Sequence, residues 1–121
     1  ECNGKIGVTG FCTGGTMAFL SAARLQIDAA ACYYGTQIHE FLDEEKDLCC
    51  PIILHAGTSD EHVSFELLTE IKRALLPNLN VTIYEYDAGH AFAHTERNDY
   101  YFATAANAAH KHTFQLFDGL K

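Results

Sequence analysis

The sequence predicts an α/β fold, with a parallel sheet covered by helices on both faces. Two observations carry this reading. Short β-prone runs alternate with stretches whose apolar residues recur at helical spacing. The strand-like runs are also largely apolar, as strands covered on both faces must be.

Ile6 to Thr9 is the first β-prone run. A helix follows over Thr13 to Gln26, with small residues near its start and Met17, Leu20 and Ala23 at helical spacing. Ala29 to Tyr34 reads as the second strand, closed by Gly35, and 51–56 as a third, almost fully apolar one. Ser64 is placed to cap a helix that sets Leu68, Ile71 and Leu75 on one face and stops before Pro77. Val81 to Tyr86 forms the fourth strand, with alternating residues. A last helix runs from about Asp99, with Phe102, Ala106, Ala109, Leu116 and Leu120 near a 3.6-residue period. Right-handed crossovers then place the four strands in sequential, parallel order.

A chain of 121 residues suits one domain, 1–121, able to bury a core. With 16 acidic and 8 basic side chains it offers no basic stripe to a phosphate backbone, which argues against a nucleic-acid partner. Its apolar runs fall far short of the roughly 18–20 residues that cross a bilayer, so no membrane partner is expected. Five cysteines without CxxC spacing argue against a disulfide framework and for a reducing cytoplasm. The chain opens at Glu1 and reaches its richest motif within about ten residues, so it reads as the C-terminal catalytic portion of something longer.

That motif is Gly10-Phe11-Cys12-Thr13-Gly14-Gly15, between a strand and a helix. It fits G-x-nucleophile-x-G, the nucleophile elbow, with cysteine in the nucleophile's place. Glycines at 10 and 14 are expected to relieve the crowding of that turn, and Gly15 to let the helix lie close to the sheet. Cys12 would then sit at a helix N-terminus, where the dipole favours thiolate. The Thr13 amide would point toward a developing oxyanion. The plainer alternative is a small cysteine that merely packs at a strand–helix junction.

An elbow nucleophile needs an acid and then a histidine later in the chain. After the third strand comes Gly57-Thr58-Ser59-Asp60-Glu61-His62, and after the fourth Asp87-Ala88-Gly89-His90-Ala91-Phe92. His90 is the candidate base, with Asp60 to orient it and stabilise its imidazolium. Both stand beyond strand ends on the same sheet edge as Cys12. His90 is therefore expected within hydrogen-bonding reach of the Cys12 sulfur and the Asp60 carboxylate.

GFCTGG, then Ala31-Cys32-Tyr33-Tyr34-Gly35, HAGTSDEHV and YEYDAGHAFAH, together resemble the dienelactone hydrolase family of α/β-hydrolases. The resemblance runs across essentially the whole chain and corresponds to the second half of that family's fold. It implies ester or lactone hydrolysis without a cofactor, with Cys12 as nucleophile, Asp60 as acid, His90 as base and Thr13 as one oxyanion donor. It also implies the same sequential order of strands. The family's earlier strands, its other oxyanion donor and part of its pocket have no counterpart in the sequence. Where the family carries an arginine that holds the substrate carboxylate, this chain has His94, a poorer carboxylate anchor than a guanidinium. The expected partner is a small ester or lactone. Association through the edge left by the absent strands, as a homo-oligomer or with a missing N-terminal portion, is the further expectation.

Tyr34, Phe92 and His94 are candidates to line the substrate pocket, although aromatic packing accounts for Tyr33, Tyr34 and Phe92 equally well. His90 and His94 stand at HxxxH spacing but lack the glutamate of HExxH, so no metal is expected. His110 and His112 read as a solvated helix face, 43–47 as a solvated surface segment, and Cys32, Cys49 and Cys50 as buried structural residues. Beside the hydrolase stand two other readings: a non-catalytic or partner-dependent fragment, and a metal-binding module.

Overall fold

The computed structural model describes residues 5–48, 50–57, 63–86 and 103–119. Strand β1 (Gly7–Phe11) leads into helix α1 (Thr13–Arg24), and β2 (Ala29–Tyr33) into a 3-10 segment, Ile38–Asp47. Then come β3 (Ile52–Gly57), α2 (Phe65–Leu75), β4 (Val81–Tyr86) and α3 (Ala103–Asp118). The strands lie in the order β1-β2-β3-β4, and every pairing is parallel. This is the sequential parallel sheet expected from the sequence.

Central strand β2 is buried at all five positions, as a strand with helices on both faces must be. Its Ala30 and Cys32 pack with Ile52, Leu54 and Val81 against Phe19 and Ala22 of α1 and Leu68, Ile71 and Leu75 of α2. Its Ala31 and Tyr33 face the other way and meet Ala106 and Ala109 of α3. The small alanines let α3 approach the sheet closely. Burial pushes the Cys32 thiol well above its ordinary range, and Cys50 is buried too, so both act as packing residues. Cys49 lies outside the described residues.

Boundaries shift where tertiary contacts outweigh local pattern. The first strand runs on to Phe11, whose ring stacks on Tyr33 at 4.4 Å between centroids. Helix α1 ends at Arg24, two residues before Gln26, because Leu25 turns extended (φ −121°, ψ 162°). Ser64 caps α2 as expected, its Oγ accepting the Leu67 amide at 3.3 Å. The start of the last helix expected near Asp99 lies outside the described residues.

The segment read as solvated, 43–47, does lie at the surface, with Asp43, Lys46 and Asp47 exposed, and it forms the second part of the 3-10 segment, which kinks at Phe41. Glu44 accepts a two-pronged pair from Arg24 at 2.8 and 2.7 Å, and the guanidinium also sits over the Phe41 ring. The pair is solvent-exposed, so it fixes geometry more than it adds stability. Among the described residues, no helix is long and apolar enough to cross a membrane.

Candidate active site

The candidate site begins where β1 stops. The Cys12 amide donates to the Tyr33 carbonyl at 3.0 Å, extending the sheet ladder by one residue. The Cys12 carbonyl then accepts from the Gly15 and Thr16 amides at 2.9 and 3.3 Å, opening α1. One residue must leave a strand and cap a helix at once, and its backbone shows the strain: φ 57°, ψ −123°. A side-chain-bearing residue there costs on the order of 1–3 kcal/mol, and such outliers cluster at functional sites.

The neighbouring glycines divide the work differently from the sequence reading. A Cβ on Gly10 would run into the Gly14 carbonyl, and one on Gly15 would fall 2.5 Å from the Tyr33 carbonyl oxygen. A Cβ on Gly14 would meet nothing within 4 Å. Gly10 and Gly15 therefore permit the turn, while Gly14 contributes its backbone. Thr13 opens α1 on the exposed surface, where first-turn amides lack an intrahelical acceptor.

Tyr34 holds the second strained backbone, with φ 38°. Its amide donates to the His55 carbonyl at 2.7 Å, and its buried ring lies 6.1 Å from Phe11 and from Tyr33. It also borders an apolar cavity of about 30 Å³ with Cys32, Ile38, Leu54, Val63 and Ile83. That volume suits a water rather than a substrate, which needs hundreds of cubic ångströms.

Asp60, His90, Phe92 and His94 lie outside the described residues. The strands that precede them end at Gly57 and Tyr86, which are register partners on the sheet edge where β1 delivers Cys12.

Beneath that edge lies a buried polar layer absent from the sequence reading. His55, on β3, is 1% exposed and has both ring nitrogens engaged. Nδ1 is hydrogen-bonded to the Tyr86 hydroxyl at 3.0 Å and Nε2 to Thr113 Oγ1 at 2.9 Å. Thr113 Oγ1 is also 2.8 Å from the Tyr33 hydroxyl, which in turn lies 2.8 Å from His110 Nδ1. His112 stacks on Tyr84 at 3.8 Å. The expectation of a solvated His110–His112 face is thus corrected. Ala106, Ala109, His110 and Thr113 share the α3 stripe that meets the sheet, at helical spacing.

The comparisons with known proteins bear on the same elements. The dienelactone hydrolase family matches residues 1–120. The chain belongs to the dienelactone hydrolase family. It is 40% identical over 109 residues to a carboxymethylenebutenolidase of Pseudomonas putida, covering 88% of this chain and 45% of the relative. It is 31% identical to carboxymethylenebutenolidase 1 of Cupriavidus pinatubonensis, over 98% of this chain and 50% of the relative. A Klebsiella pneumoniae structure described as a candidate dienelactone hydrolase superposes with TM-score 0.84 at 28% identity, covering 93% of this chain and 51% of that one. The dienelactone hydrolase-like promiscuous phosphotriesterase P91, from metagenomic libraries, gives 0.85 at 19% identity, over 98% of this chain and 54% of that one, a likeness of fold alone. The chain spans about half the length of the curated family members it matches.

In this chain the buried His55 ties stability to pH. Burial, with His112 and His110 adding repulsion, lowers the His55 pKa from 6.5 to about 3. Burial also lowers that of His110. A lowered histidine pKa means that the unfolded chain takes up the proton first. Stability conferred by neutral His55 is therefore full above about pH 6.5 and is lost as pH falls toward 3. His55 contributes a slope of about 1.4 kcal/mol per pH unit in that window. Urea titrations between pH 7 and 4 should show it, and His55→Gln should flatten it from a lower starting stability. An unchanged slope in His55→Gln would show that His55 is not the group responsible.

Proposed function

We propose that the chain carries the nucleophile-to-base portion of an ester or lactone hydrolase acting through Cys12, His90 and Asp60. The observation that carries the reading is the strained Cys12 backbone at the β1–α1 turn, where only a reactive side chain rewards the strain. Family membership supports it, as does the delivery of Cys12, Gly57 and Tyr86 to one sheet edge.

In this mechanism His90 draws the proton from the Cys12 thiol, and Asp60 stabilises the resulting imidazolium. The thiolate attacks the substrate carbonyl, and the tetrahedral oxyanion is met by the Thr13 amide. Collapse expels the alcohol or enol oxygen, which takes the proton back from His90, and leaves a thioester on Cys12. Water, deprotonated by His90, then attacks that thioester and releases the carboxylic acid, restoring the thiol. Such chemistry suits activated esters and enol lactones better than amides. Tyr34, Phe92 and His94 would border the acyl or lactone ring. With His94 in the position of the family's arginine, uncharged substrates fit better than carboxylate-bearing ones. No cofactor enters the scheme, and a thiol nucleophile fits a reducing cytoplasm.

One observation favours a second reading, a half-site that needs a partner. Among the described residues β1 is paired only with β2, and its Gly7 and Thr9 are exposed. Such an edge accepts a further strand from a second copy or a longer gene product.

The test is to quench the natural gene product in acid during turnover of an aryl acetate and map the acetyl group by peptide mass spectrometry. One acetyl on the Cys12 peptide, formed in a burst and lost on standing, is expected. Turnover without an adduct at Cys12 would remove the nucleophile assignment. Adduct and turnover only in the longer or associated form would select the second reading.

A further inference from the structure

The geometry points to Thr113 as a positioning residue, one α3 hydroxyl that holds the nucleophile turn and the base-bearing strand end in register. This rests on the hydrolase reading above. Thr113 Oγ1 is hydrogen-bonded toward two strands at once, to Tyr33 on β2 and to His55 on β3.

Each side leads to a different part of the proposed triad. Toward the nucleophile, Tyr33 accepts the Cys12 amide through its carbonyl and stacks its ring on Phe11, the residue before Cys12. A shift of Tyr33 as a whole therefore reaches the turn at two points. Toward the base, His55 holds the hydroxyl of Tyr86, the last residue of β4, and His90 follows four residues later. His55 and Tyr33 are register partners, so β3 carries the coupling across the sheet.

The central hydroxyl links the two halves of the layer. Tyr86, His55, Thr113, Tyr33 and His110 each supply one proton, and four bonds join them in a row. Removal of the central hydroxyl leaves buried His55 and Tyr33 without their shared partner. Relaxation of those two side chains shifts both strand ends. A misplacement near 1 Å is enough to cost about 100-fold in rate.

The test uses the natural gene product and three substitutions. Thr113→Val keeps the shape and removes the hydroxyl, Thr113→Ser keeps the hydroxyl, and Tyr33→Phe keeps the ring stack. The readouts are kcat and KM for an aryl ester, and the pH profile of Cys12 alkylation by iodoacetamide. Thr113→Val and Tyr33→Phe are expected to lower kcat by about 10- to 100-fold with KM little changed. Both should move the alkylation midpoint toward that of an ordinary thiol, and Thr113→Ser should restore both readouts. Wild-type kcat and midpoint in the two variants, with only a lower melting temperature, would reduce Thr113 to a packing role and overturn the inference. A serine that fails to rescue would do the same. If Thr113→Val does not fold, Tyr33→Phe decides alone. A wild-type Cys12 that alkylates like an ordinary thiol, with no turnover, would instead remove the hydrolase reading and this inference with it.

Discussion

Replacing Cys12 with alanine is expected to lower kcat/KM for an activated aryl ester by about 10,000-fold or more, with little change in stability. The rate effect follows from losing the atom that forms the thioester in the proposed mechanism. The stability expectation follows from the backbone. Cysteine and alanine both carry a Cβ, so the strain at φ 57° persists in Cys12→Ala. Cys12→Gly removes that Cβ and should be the more stable variant by about 1 kcal/mol, while equally inactive. A residue that trades stability for activity in this way is held in place by function. Aryl-ester assays beside urea denaturation of the three proteins measure both halves. Residual turnover within 100-fold of wild type in Cys12→Ala would mean that another group performs the attack.

The sheet was legible because its strands are local signals. Four apolar runs of strand length separated by helical periodicity leave few arrangements, and 81–86 coincides with β4. What escaped is long-range. Phe11 belongs to β1 because it stacks on Tyr33, and nothing between residues 6 and 11 announces that contact. The 3-10 segment mixes Ile38, Phe41 and Leu42 with acidic residues, so neither a helical stripe nor a strand alternation emerges. Its charge is organised by Arg24, twenty residues earlier.

The strained β1–α1 turn was legible because such a residue leaves glycines around it, although the crowding falls on Gly10 and Gly15 rather than on Gly14. The polar layer was not. His55 stands in an otherwise apolar run, and its partner Thr113 is 58 residues away. A histidine amid buried aliphatics is nevertheless a usable signal, since burial demands partners for both ring nitrogens. The same demand turns the α3 face carrying Thr113 and His110 toward the sheet.

Asp60→Asn and His90→Ala should separate the two remaining roles of the proposed triad. His90→Ala removes the base. Cys12 alkylation below pH 7 should then fall to the rate of an ordinary thiol, which is only a few per cent ionised near neutrality. Ester turnover should fall by about as much as in Cys12→Ala, because thiolate formation and leaving-group protonation are lost together. Asp60→Asn leaves the imidazole in place but withdraws the charge that fixes its tautomer and steadies its protonated form. A loss on the order of 1,000- to 10,000-fold in kcat is expected, with a smaller effect on alkylation. The informative measurement is the double variant. Groups that act as one unit are strongly non-additive, so Cys12→Ala combined with His90→Ala should be no slower than Cys12→Ala alone. Losses that multiply in the double variant would show the two side chains acting in separate steps, and the triad would have to be abandoned in favour of independent sites.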